Sequence, residues 1–264
     1  MRRIISLLTD FGLTDSFVAE MKAVIFSVSG DAEIVDISHQ VEKFDISMGA
    51  FLLNGAVEYF PDGTIHVAVV DPGVGSDRRG IVVETKRAVF VGPDNGLLIP
   101  AARSQKILHV FELTNRSFMR DEVSATFHGR DIFAPVAAHL ANGRLPRECG
   151  PELREYVDSP FPSARIEGEY WISEVVYVDG FGNIVTNLSR DLLKDSLSEK
   201  ISLYVGGRQF SVRFVRTYSD LRVGEVGALF GSHGFLELAC REKSAAARLR
   251  VTRGVPVRLL HGNS

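Results

Sequence analysis

The chain has 264 residues, of which 45% are hydrophobic and 24% charged, and its formal net charge is −3 at pH 7. This length is enough for one large hydrophobic core or two modest ones, because domains commonly contain about 100–200 residues. The nearly balanced charge, without a long run of lysine and arginine, argues against the basic surface that nucleic-acid-binding proteins normally carry.

The cysteines and the apolar runs predict a cytoplasmic protein. Cys149 and Cys240 form no CxxC pair, which excludes a disulfide framework and a cysteine-rich zinc site. The apolar run from Ile4 to Leu8 ends at Thr9, so it is too short for the core of a signal peptide or for a membrane span. No later run approaches the ~18 uncharged apolar residues of a membrane helix. We therefore expect neither a membrane nor a nucleic acid as partner.

The first half of the chain alternates strand and helix patterns. Short apolar runs predict strands, and apolar residues at spacings of three and four predict helices. The predicted strands cover residues 4–8, 34–37 and 64–70, and the predicted helices cover 16–28, 46–59 and 131–142. Because strands that alternate with helices pair in parallel, we expect an α/β domain whose mostly parallel sheet is covered on both faces.

The second half has a different pattern. Four prolines between residues 145 and 165 predict a linker, so we place the domain boundary after residue 160, with domains at 1–160 and 161–264. Beyond the linker, short strand patterns cover 170–178, 184–187, 201–205, 225–230, 235–239, 249–252 and 255–260. Many short strands separated by glycine turns predict a small antiparallel barrel or a sandwich.

Most familiar catalytic and cofactor motifs are missing. Gly73-Val74-Gly75 begins like a dinucleotide-binding loop, but Arg78 occupies the third glycine position. The sequence contains no GxxxxGK[ST] phosphate loop, no GxSxG elbow and no HExxH helix. The seven histidines are scattered without metal-ligand spacing, so we expect no catalytic metal.

The loop after the first predicted strand places a carboxylate at a strand end. Asp10 follows this strand, with Gly12 two residues further on. Ligands of α/β sheets bind beyond the carboxyl ends of the strands, and a carboxylate there can accept both hydroxyl groups of a ribose. Alternatively, the loop only starts the next helix, with Thr14 or Asp15 as its N-cap.

Two further loops carry candidate catalytic groups. The loop 70–80 follows the third predicted strand and contains both Asp71 and Arg78. A tight turn would explain Asp-Pro-Gly at 71–73, but the loop is longer than a simple reversal of the chain needs. His128 stands just before the helix predicted at 131–142, where a single histidine has a structural role more often than a catalytic one. Taken singly, each loop favours the structural interpretation.

Seven motifs, taken together, identify a family. They are TDFGLTD (9–15), DISH (36–39), VDPGVGSDRRG (70–80), GPDNG (92–96), TFHGRD (126–131), DGFGN (179–183) and GSHGFLELA (231–239). In this order they resemble the S-adenosylmethionine hydroxide adenosyltransferases, or adenosine-forming S-adenosylmethionine hydrolases, which are relatives of the fluorinase and the chlorinase. The resemblance covers nearly the whole chain. It implies an N-terminal α/β domain, a C-terminal antiparallel β-barrel, and homotrimers with sites between neighbouring subunits.

The resemblance also implies a reaction and the residues that perform it. S-adenosylmethionine would be the substrate, cleaved by water at the 5′ carbon to adenosine and methionine without a cofactor. The implied catalytic set is Asp71, Arg78 and His128. The implied adenosine contacts are Asp10, Asp71, Asn183, Ser232, Glu237 and the backbone of Cys240, and the implied contacts of the methionine end are Asp15, Asp179 and Ser232. Phe181 either stacks on adenine or belongs to the barrel core.

The chemistry favours a hydrolase over its halogenating relatives. Methionine leaves a sulfonium as a neutral thioether and needs no acid, so the difficulty lies in activating water, whose pKa is near ~15.7. Arg78 stays cationic and can stabilise developing hydroxide, while His128 can hold or accept a proton near neutral pH. The halogenases have tyrosine at the position of Asp71 and Tyr-Ser at 128–129. A halogenase of the same fold, or a protein that binds adenosine or S-adenosylmethionine without turnover, remains the alternative.

Overall fold

The computed structural model describes residues 4–158, 163–193 and 197–261. The chain divides into two compact units, residues 1–160 and 161–264. Two of the four prolines that predict the linker, at positions 160 and 162, lie outside the described residues.

A mixed sheet of six strands forms the centre of the N-terminal unit as far as it is described. Its strands are β1 (Ile4–Thr9), β2 (Glu33–Ser38), β3 (Ile65–Val69), β4 (Gly80–Thr85), β5 (Val89–Pro93) and β6 (Ile107–Glu112). They lie in the order β2-β1-β3-β5-β4-β6, parallel from β2 to β5, with β4 antiparallel to both neighbours. The predicted α/β fold is confirmed. Because β1 and β3 are parallel neighbours, the loops after them begin at the same edge of the sheet.

Helices cover both faces of this sheet. They are α1 (Phe17–Val28), α2 (Ile46–Val57), α3 (Ile99–Ser104) and α4 (Ala134–Ala141). Leu7 and Leu8 point to opposite faces, because side chains alternate along a strand. Leu7 belongs to a buried cluster with Met21 of α1 and Ala137 of α4, whereas Leu8 lies beside Gly49 of α2. The two faces are therefore buried by different helices.

A closed barrel of seven strands forms the second unit over the described residues after 162. The strands of this unit are β7 (Arg165–Glu167), β8 (Tyr170–Val178), β9 (Ile184–Ser189), β10 (Lys200–Val205), β11 (Arg208–Phe214), β12 (Val226–Phe230), β13 (Phe235–Cys240) and β14 (Pro256–Leu260). Pairing of β14 with β8 closes the barrel, and β7 extends it at β8. Pairing is antiparallel except between β11 and β12. The predicted C-terminal β-barrel is confirmed, and the sandwich alternative is wrong.

One predicted strand of the barrel is wrong. Residues 249–252 are not a strand; the helix α6 (Ala245–Leu249) occupies the start of this range. Ser244 caps this helix, because its hydroxyl accepts a hydrogen bond from the backbone N–H of Ala247 at 3.0 Å. Arg250 ends the helix in the left-handed conformation, with a φ of 53°. A second short helix, α5 (Arg190–Leu193), follows β9.

The helix starts near the predicted site also differ from expectation. The N-cap of α1 is Ser16 rather than Thr14 or Asp15, and its hydroxyl donates to Glu20 at 2.7 Å instead of capping the backbone. The helix predicted at 131–142 begins earlier, with a π-helical turn at Gly129–Phe133 that continues into α4. Turns of this kind are frequent at functional sites.

No helix in the described part of the chain is long and apolar enough to cross a membrane.

Candidate active site

The Arg78 guanidinium joins the three side chains that the sequence predicts as catalytic. Its Nε donates to both oxygens of Asp71, at 2.9 and 3.0 Å, and its second terminal nitrogen also contacts Asp71 Oδ2. That same nitrogen lies 2.7 Å from Nδ1 of His128. The side chains of Arg78 and Asp71 are 12% and 5% exposed, so water screens this pair only weakly. Asp71, Arg78 and His128 therefore form one hydrogen-bonded group.

This geometry determines the tautomer of His128. A guanidinium donates hydrogen bonds and accepts none, so Nδ1 of His128 has to be the acceptor. The proton of the neutral ring is then on Nε2. Burial and the neighbouring Arg78 cation lower the pKa of His128 below its usual value, although Asp71 and Asp131 oppose this change. His128 is thus held as a neutral ring whose Nε2–H is a donor.

The loop that carries Asp71 and Arg78 packs tightly against the segment before His128. The loop reverses direction at its start, where Val74 N–H donates to the Asp71 carbonyl at 3.2 Å. Gly75 has a φ of +79°, and an added Cβ would lie 2.4 Å from the carbonyl oxygen of Ala125. Only glycine fits this contact. The contact holds together two segments that are 50 residues apart in the sequence.

The π-helical turn after His128 is anchored by a fully buried carboxylate. Asp131 Oδ2 accepts from the backbone N–H of Ser124 at 2.9 Å, and Arg130 donates to both Asp131 oxygens. These bonds hold the pKa of Asp131 below its usual value against the opposing effect of burial. Arg130 also pairs with Glu20 of α1 at 2.8 Å. The turn is therefore tied to α1 and to the segment before it.

Asp10 is held from the opposite side by the segment after β2. The backbone N–H of Phe44 donates to Asp10 Oδ2 at 2.9 Å, and Lys43 Nζ donates to the Asp10 carbonyl. Phe44 adopts a φ of 66°, which is uncommon for a residue with a side chain. Behind Asp10, the Thr9 hydroxyl lies 2.8 Å from Nδ1 of buried His39, the last residue of the DISH motif. His39 thus supports the loop from behind.

These loops surround a cleft of about 360 Å³. It combines an apolar wall with a few polar groups, the usual composition of a small-molecule site. Its lining residues are Asp10, Phe11, Phe17, Lys43, Phe44, Val69, Asp71, Val74, Thr126, Phe127, His128 and Gly129. Three of its rings, those of Phe11, Phe17 and Phe127, pack edge to face against one another.

The cleft contains residues that the sequence does not predict, and two predicted residues of this unit, Arg78 and Asp15, are not among those that line it. Lys43, Phe44 and the three packed rings are not among the predicted site residues. The nearest signal in the sequence is the DISH motif, which ends four residues before Lys43. Asp15, a predicted contact of the methionine end, is exposed and does not line the cleft.

In the second unit, the DGFGN turn is organised by Asp179. Its Oδ1 accepts from the backbone N–H groups of Phe181 and Asn183, and its Oδ2 accepts from the Asn183 amide at 2.8 Å. Gly182 adopts a φ of +82° at a point where a Cβ would collide with Ser244. The Phe181 ring is 84% exposed, so the interpretation of Phe181 as barrel core is wrong.

Glu237 is a buried carboxyl group of the same unit. Tyr218 donates its hydroxyl to Glu237 Oε2 at 3.1 Å. Burial raises the pKa of Glu237 above its usual value, and Asp179 adds to this effect. Burial and Glu237 in turn raise the pKa of Tyr218 to about 12. Tyr218, which the sequence analysis misses, therefore remains a hydrogen-bond donor at neutral pH.

The two remaining predicted residues differ in exposure. Ser232 is exposed, and an added Cβ on its neighbour Gly231 would lie 1.8 Å from Glu237 Oε1, so a side chain there would displace the Glu237 carboxyl group. Cys240 ends β13 with a buried side chain, and its backbone pairs with Val226 of β12. No cluster of three or more histidine, cysteine or acidic side chains suited to a metal ion occurs among the residues described.

Comparison with known proteins gives consistent matches over the chain. The SAM hydroxide adenosyltransferase N-terminal and C-terminal domain models match residues 5–150 and 173–258. An (R)-S-adenosyl-L-methionine hydrolase of Salinispora tropica is 41% identical, with 98% of each chain covered. A fluorinase of an Actinoplanes species is 26% identical, with 96% of each chain covered. A crystal structure of an uncharacterized conserved protein from Thermotoga maritima superposes with a TM-score of 0.92 at 38% identity, covering 97% of this chain and 100% of that one. The chain therefore belongs to the SAM hydroxide adenosyltransferase family.

Proposed function

We propose that this protein hydrolyses S-adenosyl-L-methionine to adenosine and L-methionine, with water displacing methionine at the 5′ carbon. The observation that carries the proposal is the Arg78 guanidinium, which bonds to both Asp71 and His128 beside the cleft. The relatives named (R)-S-adenosyl-L-methionine hydrolase, at 35–41% identity over nearly the full chain, support the same reaction. Asp71, Arg78 and His128 are the proposed catalytic residues.

The proposed mechanism gives each of these groups a role in activating the water. Nε2–H of His128 donates to the oxygen of the attacking water, and Arg78 stabilises the negative charge that develops there. Both nitrogens of His128 are then engaged, so Asp71 is the acceptor of the water proton. The oxygen forms its bond to the 5′ carbon as the carbon–sulfur bond breaks, and methionine leaves as a neutral thioether. The proton passes from Asp71 to solvent.

The proposed substrate contacts divide between the ends of the molecule. Asp10 accepts the ribose hydroxyl groups, Asp71 contributes to the ribose contact, and Asp15, Asp179 and Ser232 bind the methionine end. Adenine stacks on Phe181 and bonds to Asn183, Glu237 and the backbone of Cys240. The exposure of Phe181 supports the stacking role, since an exposed ring is available to a ligand. The Asn183 amide nitrogen already donates to Asp179, which leaves its carbonyl oxygen to accept from the adenine amino group.

The finer features of the proposal rest on the family resemblance. We propose two domains, at 1–160 and 161–264, in a cytoplasmic homotrimer with sites between neighbouring subunits. The reaction requires neither a metal nor a cofactor, and its partner is the small-molecule substrate. Halide chemistry is disfavoured, because the Asp71 carboxylate stands where the halogenating relatives have tyrosine and would repel an anion.

Chromatography of the products tests the proposal. The purified protein is incubated with S-adenosylmethionine in chloride-free buffer and then with chloride added. Equal amounts of adenosine and methionine, unaffected by chloride and reduced at least about tenfold by His128→Ala or Asp71→Asn, would support it. His109→Ala is the matched control, because His109 is an exposed histidine paired with Glu152 outside the cleft.

Other products distinguish the rival functions. Chloride-dependent formation of 5′-chloro-adenosine would identify a halogenase. Tight binding of adenosine without any cleavage would identify a binding protein. Normal turnover by His128→Ala would refute the mechanism while leaving the reaction intact.

A further inference from the structure

The GPDNG motif at 92–96 lies outside the cleft, yet it contacts both ends of the loop that carries Asp71 and Arg78. At the start of this loop, Asn95 Nδ2 donates to the carbonyl oxygen of Val70 at 2.8 Å. Val70 is fully buried and immediately precedes Asp71. The Asn95 side chain is itself oriented by the backbone N–H of Leu97, which donates to its Oδ1 at 3.2 Å.

At the other end of the loop, Asp94 holds the residue that follows Arg78. Its Oδ2 accepts from Nε of Arg79 at 2.9 Å and from a terminal nitrogen of Arg79 at 2.5 Å. The backbone N–H of Asp94 also donates to the Arg79 carbonyl at 2.9 Å. The Asp94 side chain is only 2% exposed, and its Oδ1 accepts from the backbone N–H of Val157. The backbone nitrogen and both carboxylate oxygens of Asp94 therefore each have a specific partner.

The position of the motif between the two loop ends is itself constrained. In the antiparallel ladder of β4 and β5, Pro93 is the partner of Gly80, the first residue after the loop. Gly92 approaches β3 so closely that an added Cβ would lie 2.3 Å from the carbonyl oxygen of Ala68. The motif thus packs against β3, which leads into the loop, and pairs with β4, which follows the loop.

We infer that Asp94 and Asn95 are positioning residues that hold the Asp71–Arg78 pair in its catalytic geometry by fixing both ends of the loop 70–79. This inference rests on the proposed function for its catalytic consequence, but the positioning itself is a property of the fold. A displacement of about 1 Å in reacting groups can cost about 100-fold in rate. Loosening either end of the loop is therefore expected to impair turnover more than substrate binding.

Asn95→Asp tests the start of the loop. It keeps the shape of the side chain and the acceptor for Leu97, but replaces the donor to Val70 with a carboxylate oxygen. We expect kcat to fall by about 10- to 100-fold while KM for S-adenosylmethionine changes by less than about threefold. Asp94→Asn tests the other end, because it removes the charge that pairs with Arg79 and retains an acceptor for Val157.

Gln105→Glu is the matched control. Gln105 is also a buried amide that donates to a backbone carbonyl, that of Val57 at 3.1 Å. It lies beside Thr85, at the ends of the strands that face away from the cleft. This variant loses the same kind of bond, so it measures the general cost of such a change. We expect it to keep kcat within about twofold of the original protein.

Titration of His128 by NMR provides a readout that does not depend on turnover. Arg78, Asp71 and Asp131 are the charged groups that act on this ring, and the Arg78 cation has the largest effect of the three. If Arg78 moves away, the pKa of His128 should rise in Asn95→Asp and Asp94→Asn, but not in Gln105→Glu. His128→Ala identifies the signal.

The outcomes separate this inference from the proposed function. A raised His128 pKa with a reduced kcat, at a melting temperature above the assay temperature, supports both. Normal kcat and unchanged His128 titration in both motif variants overturn the inference, as does an equal loss of activity in Gln105→Glu. If the original protein does not cleave S-adenosylmethionine, the proposed function fails, and the His128 titration alone decides whether the motif positions Arg78.

Discussion

His66 is a fully buried histidine at the centre of the N-terminal sheet, on β3. Its ring packs between those of Phe60 and Phe90, at centroid distances of 5.1 and 4.9 Å. Nδ1 lies 2.6 Å from the Ser6 hydroxyl, whereas Nε2 is buried and has no hydrogen-bond partner within the described part of the chain. Burial lowers the pKa of His66 to about 3, because the charged ring would lose its hydration with no carboxylate to replace it.

This lowered pKa makes the stability of the protein depend on pH. The unfolded chain binds a proton at His66 below about pH 6.5, while the folded chain stays neutral down to about pH 3. Folding is therefore unaffected by this group above pH 6.5 and is progressively disfavoured as the pH falls toward 3. At 1.36 kcal/mol per unit of pH, the free energy of unfolding falls by about 2 kcal/mol between pH 7.5 and pH 5.0.

Replacing His66 with asparagine should remove this component. Asparagine keeps a polar group near the Ser6 hydroxyl and does not titrate. The cavity that this smaller side chain leaves therefore lowers the free energy of unfolding about equally at both pH values. Urea unfolding at pH 7.5 and 5.0, at one protein concentration, measures the difference. The change between the two pH values should be about 2 kcal/mol smaller in His66→Asn than in the original protein.

The control for this experiment is a histidine with the opposite shift. His109 is exposed, and its hydrogen bond to Glu152 raises its pKa, so it stabilises the fold at low pH and loses this effect as the pH rises. His109→Asn should not reduce the acid sensitivity of the protein. Equal acid sensitivity of His66→Asn and the original protein would refute the argument that a neutral buried ring is responsible.

Three further predictions concern the loops and the barrel. Gly75→Ala should lower kcat and stability together, because its Cβ would lie 2.4 Å from the Ala125 carbonyl and its φ of +79° costs an alanine about 1–2 kcal/mol; kinetics and thermal melting measure both. Protonation of His128 breaks its bond from Arg78, so the pH profile of kcat/KM should lose activity on the acid side with an apparent pKa below 6.5. Ser244→Ala should lower the free energy of unfolding by about 1 kcal/mol without changing kcat, since it removes the N-cap of α6.

The predicted elements are most accurate where a strand alternates with a helix. The strands β1 to β3 and the helices α1 and α2 have long, strongly periodic patterns, and the observed elements differ from the predicted ranges by at most two residues at either end. The region 80–112 has three strands that are not predicted, although Ile81, Val82 and Val83 form a clear apolar run. Its strands pair antiparallel around β4, which breaks the alternation on which the α/β prediction depends.

The wrong strand at 249–252 has a local cause. A window of four residues cannot distinguish a period of 2 from a period of 3.6 when it spans a helix end. The alanines that precede Leu249 favour a helix, and Ser244 supplies the cap that the strand interpretation ignores. Capping residues therefore carry more information here than the alternation of apolar residues.

The site divides into a local and a tertiary part. Asp71 and Arg78 are seven residues apart in one loop, so their pairing can be inferred from the sequence. Lys43 and Phe44 reach Asp10 only because the segment after β2 folds back over the end of β1, and no short motif encodes that contact. Long-range packing of loops is the part of the site that the sequence pattern cannot supply.

The charge balance of the site bears on which nucleophile it would accept. Arg78 is the only cation in the three-residue group, and its charge is already balanced by Asp71 at hydrogen-bonding distance. A halide entering beside this pair would lose its hydration without meeting a net positive charge, which is costly in a partly buried site. Water carries no charge to desolvate, and it can donate to Asp71 while accepting from Nε2–H of His128. In the proposed mechanism, the Asp71–Arg78 pair would therefore disfavour an anion and suit a water molecule.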